Sequence, residues 1–292
     1  MAWIVESSSS DVFRNLAIEE YLLDHASNFA PALFLYCNER AVVIGKNQNP
    51  WRECRVDRLE AEGAALARRI SGGGAVYHDE GNLNYSLIVR REDYRPKDMF
   101  ALAIAAIARL GMAASLTGRT SLTVNGLKVS GTAFALRAGA ALHHGTLLVR
   151  SDLERLRRLF PGRLSVSETH AVASVPAPVV NLSDVDPSLT VSDAAAAFRE
   201  EFGYRYGGAR RANAADIESW DWRGLLRRRT QPGWVFGNTP PFVVGRPDGP
   251  RLRVTDGAVR DVSGGAPAAW IGRAFADVFL DWLDYSDGAS ST

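Results

Sequence analysis

The chain has 292 residues, enough for one large catalytic domain and a small appendage. Hydrophobic residues make up 46% and charged residues 23%, the balance of an ordinary globular protein rather than of a disordered or membrane-embedded one. A formal net charge of +1 argues against a nucleic-acid surface or a strongly acidic partner, and no apolar stretch is long enough for a membrane span.

Met1 to Glu6 has neither a basic start nor an extended apolar run, so no secretory signal is expected. Cys37 and Cys54 form no CxxC pair and no metal-like spacing, which makes a reducing cytoplasm without disulfides the expected setting. Asp11 to Asp24 predicts a helix opened by Asp11. Leu33–Tyr36 and 41–45 predict short buried strands, and Glu53 to Glu62 a charged helix. After the glycine cluster Gly72-Gly73-Gly74 come a strand near Asn84–Val89 and an alanine-rich helix from Asp98 to Leu110, stopped by Gly111.

Asn125-Gly126 is the preferred pair for a type I′ hairpin turn. A two-residue loop pairs Val124 with Leu127, Thr123 with Lys128 and Leu122 with Val129. Strand alternation then sets Leu122, Val124, Leu127 and Val129 on one face, and Ser121, Thr123, Lys128 and Ser130 on the other. A strand at Gly145–Val149 follows. A capping-box pattern at Ser151–Glu154 opens a helix that Pro161-Gly162 ends. Thr190 to Phe202 predicts a helix with Val191, Ala195, Phe198 and Phe202 along one side. In the tail, 251–254 and 258–262 form a hairpin around Asp256-Gly257, Trp270 to Tyr285 a closing helix, and 286–292 a frayed end. Strands and helices intermix without a βαβ rhythm, which favours an α+β fold.

Three constellations carry chemistry. In Arg68-Arg69-Ile70-Ser71-Gly72-Gly73-Gly74, three glycines strip the backbone of side chains, so a ligand can meet main-chain N–H groups beside two cations. The alternative is a tight turn with solvated arginines. The glycine spacing fits neither a P-loop nor a dinucleotide fingerprint. Lys128 is either one more solvated group on a polar strand face or a cation fixed on a rigid strand to hold an acyl phosphate. His143 and His144 are adjacent on a strand and so point to opposite faces, which argues against a shared metal. No Gly-x-Ser-x-Gly is present for a serine hydrolase, and neither cysteine has a histidine beside it.

Taken together, and in this order, these stretches resemble the lipoate–protein ligase family. Ile44 to Cys54 (IGKNQNPWREC) looks like its Gln-Asn-Pro loop, and Arg68 to Asn82 (RRISGGGAVYHDEGN) like its lipoate-binding motif. Gly126 to Ala133 (GLKVSGTA) looks like the motif with the catalytic lysine, and Leu142 to Val149 (LHHGTLLV) like the strand after it. The resemblance implies a mixed-sheet α+β catalytic domain of the kind shared with biotin ligases, over residues 1–242, with a short accessory segment over 243–292. It implies activation of lipoate by ATP with Mg²⁺ to lipoyl-AMP, then transfer to a lysine of a lipoyl-domain acceptor protein, with no nucleic acid and no membrane involved.

Carried over, Lys128 is the catalytic residue. Gly72, Gly73 and Gly74 pack on the acyl-adenylate. Arg69, His78 and Asn82 orient its polar end, with Lys46, Arg69 and Asn82 as candidates for the pyrophosphate. Ser71, Ala75 and Tyr77 complete that motif's share of the binding site. Ser130, Gly131, His144 and Gly145 supply the rest, His144 as a wall. The metal ligand is unknown, with Asp79 as a candidate. Two departures point toward a lipoyltransferase that uses preformed lipoyl-AMP: Ala173 to Leu182 replaces a Ser-Arg-Ser-Arg-Val stretch, and the C-terminal segment is short. A non-catalytic lipoate-binding homologue is disfavoured by the presence of Lys128. The covalent route of octanoyltransferases is disfavoured because Leu116 to Thr120 carries no cysteine.

Overall fold

The computed structural model describes residues 1–288. The chain opens with strand β1 (Ala2–Glu6) and helix α1 (Val12–Asp24), whose N-cap Asp11 accepts from the amides of Phe13 and Arg14. A single turn, α2 (Ala26–Phe29), leads to β2 (Ala32–Tyr36) and β3 (Ala41–Ile44). The helix expected from Glu53 to Glu62 does not form. Asn49-Pro50 supplies an N-cap and a first-turn proline earlier in the chain, so a short helix α3 (Pro50–Glu53) starts there and ends at the extended Cys54. Only a 3₁₀ turn, Val56–Arg58, follows.

Strands β4 (Ala65–Arg68) and β5 (Val76–His78) flank the glycine cluster and precede β6 (Asn82–Arg90). Helix α4 (Pro96–Arg109) is followed by β7 (Ala114–Thr117), β8 (Ser121–Val124), β9 (Leu127–Leu136) and β10 (Ala140–Leu148). The predicted turn is present, with Asn125 at φ 51 and Gly126 at φ 78, and Val124 pairs with Leu127 and Thr123 with Lys128. Beyond that the register shifts. Leu122 faces Ser130 rather than Val129, because a bulge adds a residue to β9. Strict alternation therefore fails: Val129 and Ser130 are both buried, and Leu127 is 41% exposed instead of sharing the apolar face.

Helix α5 (Leu153–Leu159) is capped by Asp152, one residue later than the Ser151 box predicts. After β11 (Val166–Ser167), helix α6 (Val191–Tyr206) has a capping box of Thr190 and Asp193, buries Phe198 and Phe202, and closes at left-handed Gly207. Then come β12 (Ala209–Ala212), α7 (Ala214–Ser219), α8 (Arg223–Arg229) and a π-helical turn at Gly233–Gly237. Strands β13 (Phe242–Gly245), β14 (Arg251–Thr255) and β15 (Ala258–Ser263) precede α9 (Phe275–Gly288). Trp270 belongs to a 3₁₀ turn ahead of α9, and the helix continues past Ser286, where fraying was expected; residues 289–292 of that expected end lie outside the described residues.

The main sheet has eight strands in the order β12-β1-β2-β6-β10-β9-β8-β7. β12, β1 and β2 pair in parallel and the rest antiparallel, so the sheet is mixed and the fold α+β. Phe100, Ala103 and Ile107 of α4 and Phe198 and Phe202 of α6 pack on one face. Ile18, Leu22 and Leu23 of α1 and Trp222 ahead of α8 pack on the other. A three-stranded sheet, β4-β3-β5, carries the glycine cluster. A third sheet, β11-β13-β14-β15, packs with α9 around a separate core that Trp51 of α3 enters. Among the described residues no helix is long and apolar enough to cross a membrane.

Candidate active site

A cavity of about 690 Å³ lies between the α1 face of the main sheet and the glycine-bearing sheet. A second, of about 440 Å³, adjoins it. Lys128, Gly131, Thr146 and Ala75 line both, so Lys128 stands where the two spaces meet. The bulge in the β8–β9 hairpin fixes its position, and a segment of 171–180 pairs with it from the other side. The Lys128 amide donates to the Pro178 carbonyl at 3.1 Å, and the Val180 amide donates to the Lys128 carbonyl at 3.0 Å. The side chain folds back over Gly131, where a Cβ would lie 3.2 Å from Nζ. Among the described residues no carboxylate forms an ion pair with Lys128, and burial holds its pKa below the ordinary lysine value.

The glycine cluster is built from beneath by Arg69. Its guanidinium is buried and donates to the carbonyls of Gly72 at 2.6 Å and Gly74 at 2.7 Å, to Val43 at 3.1 Å and to the Ser71 hydroxyl at 2.9 Å. Burial lowers its pKa to about 10. Arg69 is thus a scaffold for the loop, although its edge reaches the larger cavity. Gly73 adopts φ +86, and a Cβ there would lie 3.0 Å from an Arg69 nitrogen, so the turn itself requires glycine. Arg68 is likewise structural. It binds the carbonyls of Gly45, Lys46, Gln48 and Val235 and the Thr239 hydroxyl, joining the Gln-Asn-Pro loop to the π-helical turn.

His144 faces the larger cavity at the centre of a buried chain. Its Nε2 meets the Ser71 hydroxyl at 2.7 Å and its Nδ1 meets Glu19 Oε1 at 2.8 Å. Ser86 also donates to Glu19, at 2.6 Å. Burial alone would raise the Glu19 carboxyl, but the charge and hydrogen bond of His144, the Ser86 bond and the Arg229 charge together hold it below the ordinary range. His143 points to the opposite face, as strand alternation predicts, with Tyr94 Oη 3.3 Å away and its ring edge-on to Phe100. His78 lines the larger cavity with Asn38 at 2.8 Å on Nδ1. Burial, with Arg69 and His144 nearby, lowers its pKa to about 3.

Of the expected binding residues, Arg69, Gly73, Gly74 and His78 line the larger cavity, as do His144 and Gly145; Ala75, Lys128 and Gly131 line both. Gly145 has no side chain because Tyr85 crosses there, its hydroxyl 2.5 Å from where a Cβ would be. Tyr77 and Ser130 border only the smaller cavity. Ser71, Gly72 and Asn82 line neither. Ser71 bridges Arg69 and His144, the Gly72 carbonyl faces Arg69, and Asn82 bonds Asn84. It is Asn84, two residues on in the strand, that reaches the larger cavity. Lys46 is exposed and borders neither space. Asp79 accepts from the amides of Gly81 and Asp152, which engages its carboxylate structurally.

Two participants were not anticipated. Glu19 sits on the buried side of α1 with Leu16 and Leu23, and an acidic residue on an apolar stripe was the signal available in the sequence. Ser174 lies in an irregular segment with no such signal. Its hydroxyl accepts from the Ala75 amide at 2.9 Å and from Gln48 Nε2 at 3.0 Å, and its amide donates to Glu53 at 3.0 Å. The segment after Ala171 is thereby held over the glycine cluster as a wall of both cavities.

The profile of the lipoyl protein ligase A/B catalytic domain matches residues 11–203. A lipoate-protein ligase A of Psychrobacter cryohalolentis is 34% identical over 251 residues, which cover 82% of this chain and 73% of the relative. The chain is also similar to the crystal structure of P. falciparum LipL1 in complex with lipoate, at TM-score 0.71 and 24% identity over 90% of this chain and 84% of that one. A solved lipoate-protein ligase A bound with ATP superposes at TM-score 0.64 and 25% identity, over 80% of this chain and 98% of that one.

Proposed function

The chain belongs to the lipoyl protein ligase A/B catalytic-domain family, and from that premise we propose how its two cavities divide the work of a lipoate–protein ligase. The larger space, with Leu16, Val43 and Tyr36 among its walls, takes the lipoyl chain. The smaller one, floored by Leu148, Leu156 and Phe160, takes the adenosine of ATP, which a similar ligase has been solved with. The observation that carries this reading is Lys128, a cation at the junction of the two that forms no ion pair among the described residues.

In the first step a lipoate carboxylate oxygen attacks the α-phosphorus of ATP, the bond to the bridging oxygen breaks, and pyrophosphate leaves. Two anions meet, and the Lys128 ammonium offsets their repulsion at the point of bond formation. Loop amides bared by the glycines add donors without steric cost. In the second step the ε-nitrogen of an acceptor lysine attacks the acyl carbon, the acyl–phosphate bond breaks, AMP departs and the ammonium proton is lost to solvent. Lys128 polarises the same carbonyl. The Glu19–His144–Ser71–Arg69 chain keeps the cavity wall and glycine loop in register, a positioning task.

The acceptor is proposed to be a lipoyl-domain protein. Mg²⁺ is proposed to arrive with the triphosphate. Among the described residues no group of three or more His, Cys, Asp or Glu can hold a metal ion, so no step is assigned to it. We further propose that the segment from β13 onward acts as an accessory unit docked through Trp51 rather than as part of the catalytic cavity. The test combines lipoate-dependent pyrophosphate release with mass spectrometry of a lipoyl domain. Both signals are expected from the chain alone. Transfer from synthetic lipoyl-AMP without pyrophosphate release would reassign it as a lipoyltransferase.

A further inference from the structure

Among the described residues, Arg157 is the arginine of the smaller cavity whose guanidinium is not engaged elsewhere. Arg52 also borders that cavity, but it donates to Glu53 at 2.9 Å and to the Ala171 carbonyl at 3.2 Å. Lys128 folds over Gly131 at the junction. On α5 the neighbours of Arg157 are both paired with Glu62, Arg155 at 3.2 Å and Arg158 at 2.7 Å. Arg157 borders the cavity, is exposed at its mouth, and among the described residues forms no ion pair. The segment that pairs with Lys128 lines the cavity through Pro176, Ala177 and Val179, which offer no charge.

This inference rests on the nucleotide reading of the smaller cavity. A base is planar and weakly polar and suits the apolar floor of Leu148, Leu156 and Phe160. The triphosphate tail is strongly anionic and stays hydrated, so it belongs at a wet mouth with a fixed cation. We infer that Arg157 binds the β- and γ-phosphates of ATP and then the pyrophosphate leaving group, and so acts in the activation step and not in acyl transfer. Its place on a rigid helix, not on the 171–180 segment, makes it an independent determinant of which half-reaction this chain performs.

The experiment compares the unaltered chain, Arg157→Ala, Arg157→Lys and, as a control, Arg158→Ala. Pyrophosphate release is followed at saturating lipoate while ATP is varied, and transfer to a lipoyl domain is followed from synthetic lipoyl-AMP. Loss of one charge-assisted phosphate contact predicts a KM for ATP raised about tenfold or more in Arg157→Ala, with transfer from lipoyl-AMP within about twofold of the unaltered chain. Arg157→Lys should recover part of the loss, and Arg158→Ala should resemble the unaltered chain. An unchanged KM for ATP in Arg157→Ala overturns the assignment. So does equal loss in both half-reactions, which would put the residue on the adenylate instead. If the unaltered chain transfers from lipoyl-AMP but releases no pyrophosphate, the activation reading itself fails and this inference fails with it.

Discussion

Lys128 lies directly over Gly131, so that a Cβ on residue 131 would come within 3.2 Å of both Cε and Nζ. The side chain therefore owes its direction to a missing methyl group three residues along its own strand. Gly131→Ala should push the ammonium away from the junction while leaving the buried core untouched. A misplacement on the ångström scale can lower a rate on the order of tenfold to a hundredfold. Labelling of a lipoyl domain is expected to fall in that range with an unchanged melting temperature. A rate within about twofold of the unaltered chain would mean that Lys128 has room to move without consequence.

The three glycines are not equivalent. Gly73 sits at φ +86 with Arg69 behind it, whereas a Cβ on Gly72 meets nothing within 4 Å. A branched residue at 73 is strained in the backbone and displaces the guanidinium that holds the loop carbonyls. Gly73→Val should cost about 1–3 kcal/mol of stability as well as ligand affinity, in contrast to a purely steric block of the ligand. Gly72→Ala should keep its stability within about 0.5 kcal/mol. Chemical denaturation and calorimetry with a lipoyl-AMP analogue separate the two. Equal melting temperatures for both variants would argue that the loop tolerates strain at 73.

Acid should destabilise the fold through its buried histidines. Burial depresses His78 and His143 to about 3 each, whereas an unfolded histidine titrates near 6.5. The unfolded state therefore takes up protons below about pH 6.5 that the folded state refuses. Stability from this source is complete above that pH and is lost as pH falls toward 3. At pH 5 the linkage amounts to about 2 kcal/mol per histidine. Glu19, held below the ordinary carboxylate range, adds a loss only at still lower pH. Urea unfolding at pH 7.5 and pH 5 checks this, and His143→Gln should shrink the difference. An equal drop in that variant would place the proton uptake elsewhere.

Truncation before Phe242 should damage the catalytic unit too. Trp51 is fully buried, and its ring lies within 5.6 Å, centroid to centroid, of Phe236, Phe242 and Phe275. Next to it, Gln48 and Asn49 hold Ser174 and cap α3. Removal of residues 242–292 strips this indole of partners, a loss comparable to the roughly 3–5 kcal/mol of a large-to-small core change. Both half-reactions should fall together. Selective loss of ATP activation with intact transfer would instead mark the unit as a lid for the first step.

Local chemistry made much of this legible in the sequence. Asn125-Gly126 forces positive φ at two residues, which sets the hairpin turn and the pairing of Lys128 with Thr123, and Asp11 and Thr190 open their helices as N-caps. The β9 bulge was not legible, because it depends on packing Val129 and Ser130 together rather than on any residue's own preference. β1 and β12 escaped because parallel partners distant in the chain create them. In the site, Arg69, Gly73, Gly74, His78, Lys128 and His144 line the larger cavity, whereas Ser71, Gly72 and Asn82 line neither cavity, and Arg69 and Asp79 also bond the backbone around the loop. A charged side chain beside a binding loop has the same sequence signature whether it faces a ligand or a backbone carbonyl. Ser174 had no signal, since only the fold brings it to Ala75.

The role proposed for the Lys128 ammonium is to stabilise the reacting phosphate and carbonyl. Lys128→Ala removes that charge from a strand whose backbone bonds to Pro178 and Val180 do not involve the side chain. The most direct measurement is mass spectrometry of a lipoyl domain incubated with this variant, ATP and lipoate, alongside its melting curve. An electrostatic contact of this kind is worth on the order of 3 kcal/mol or more, so labelling should fall at least about a hundredfold while the melting temperature stays put. Labelling near that of the unaltered chain, from a variant that melts normally, would contradict the account.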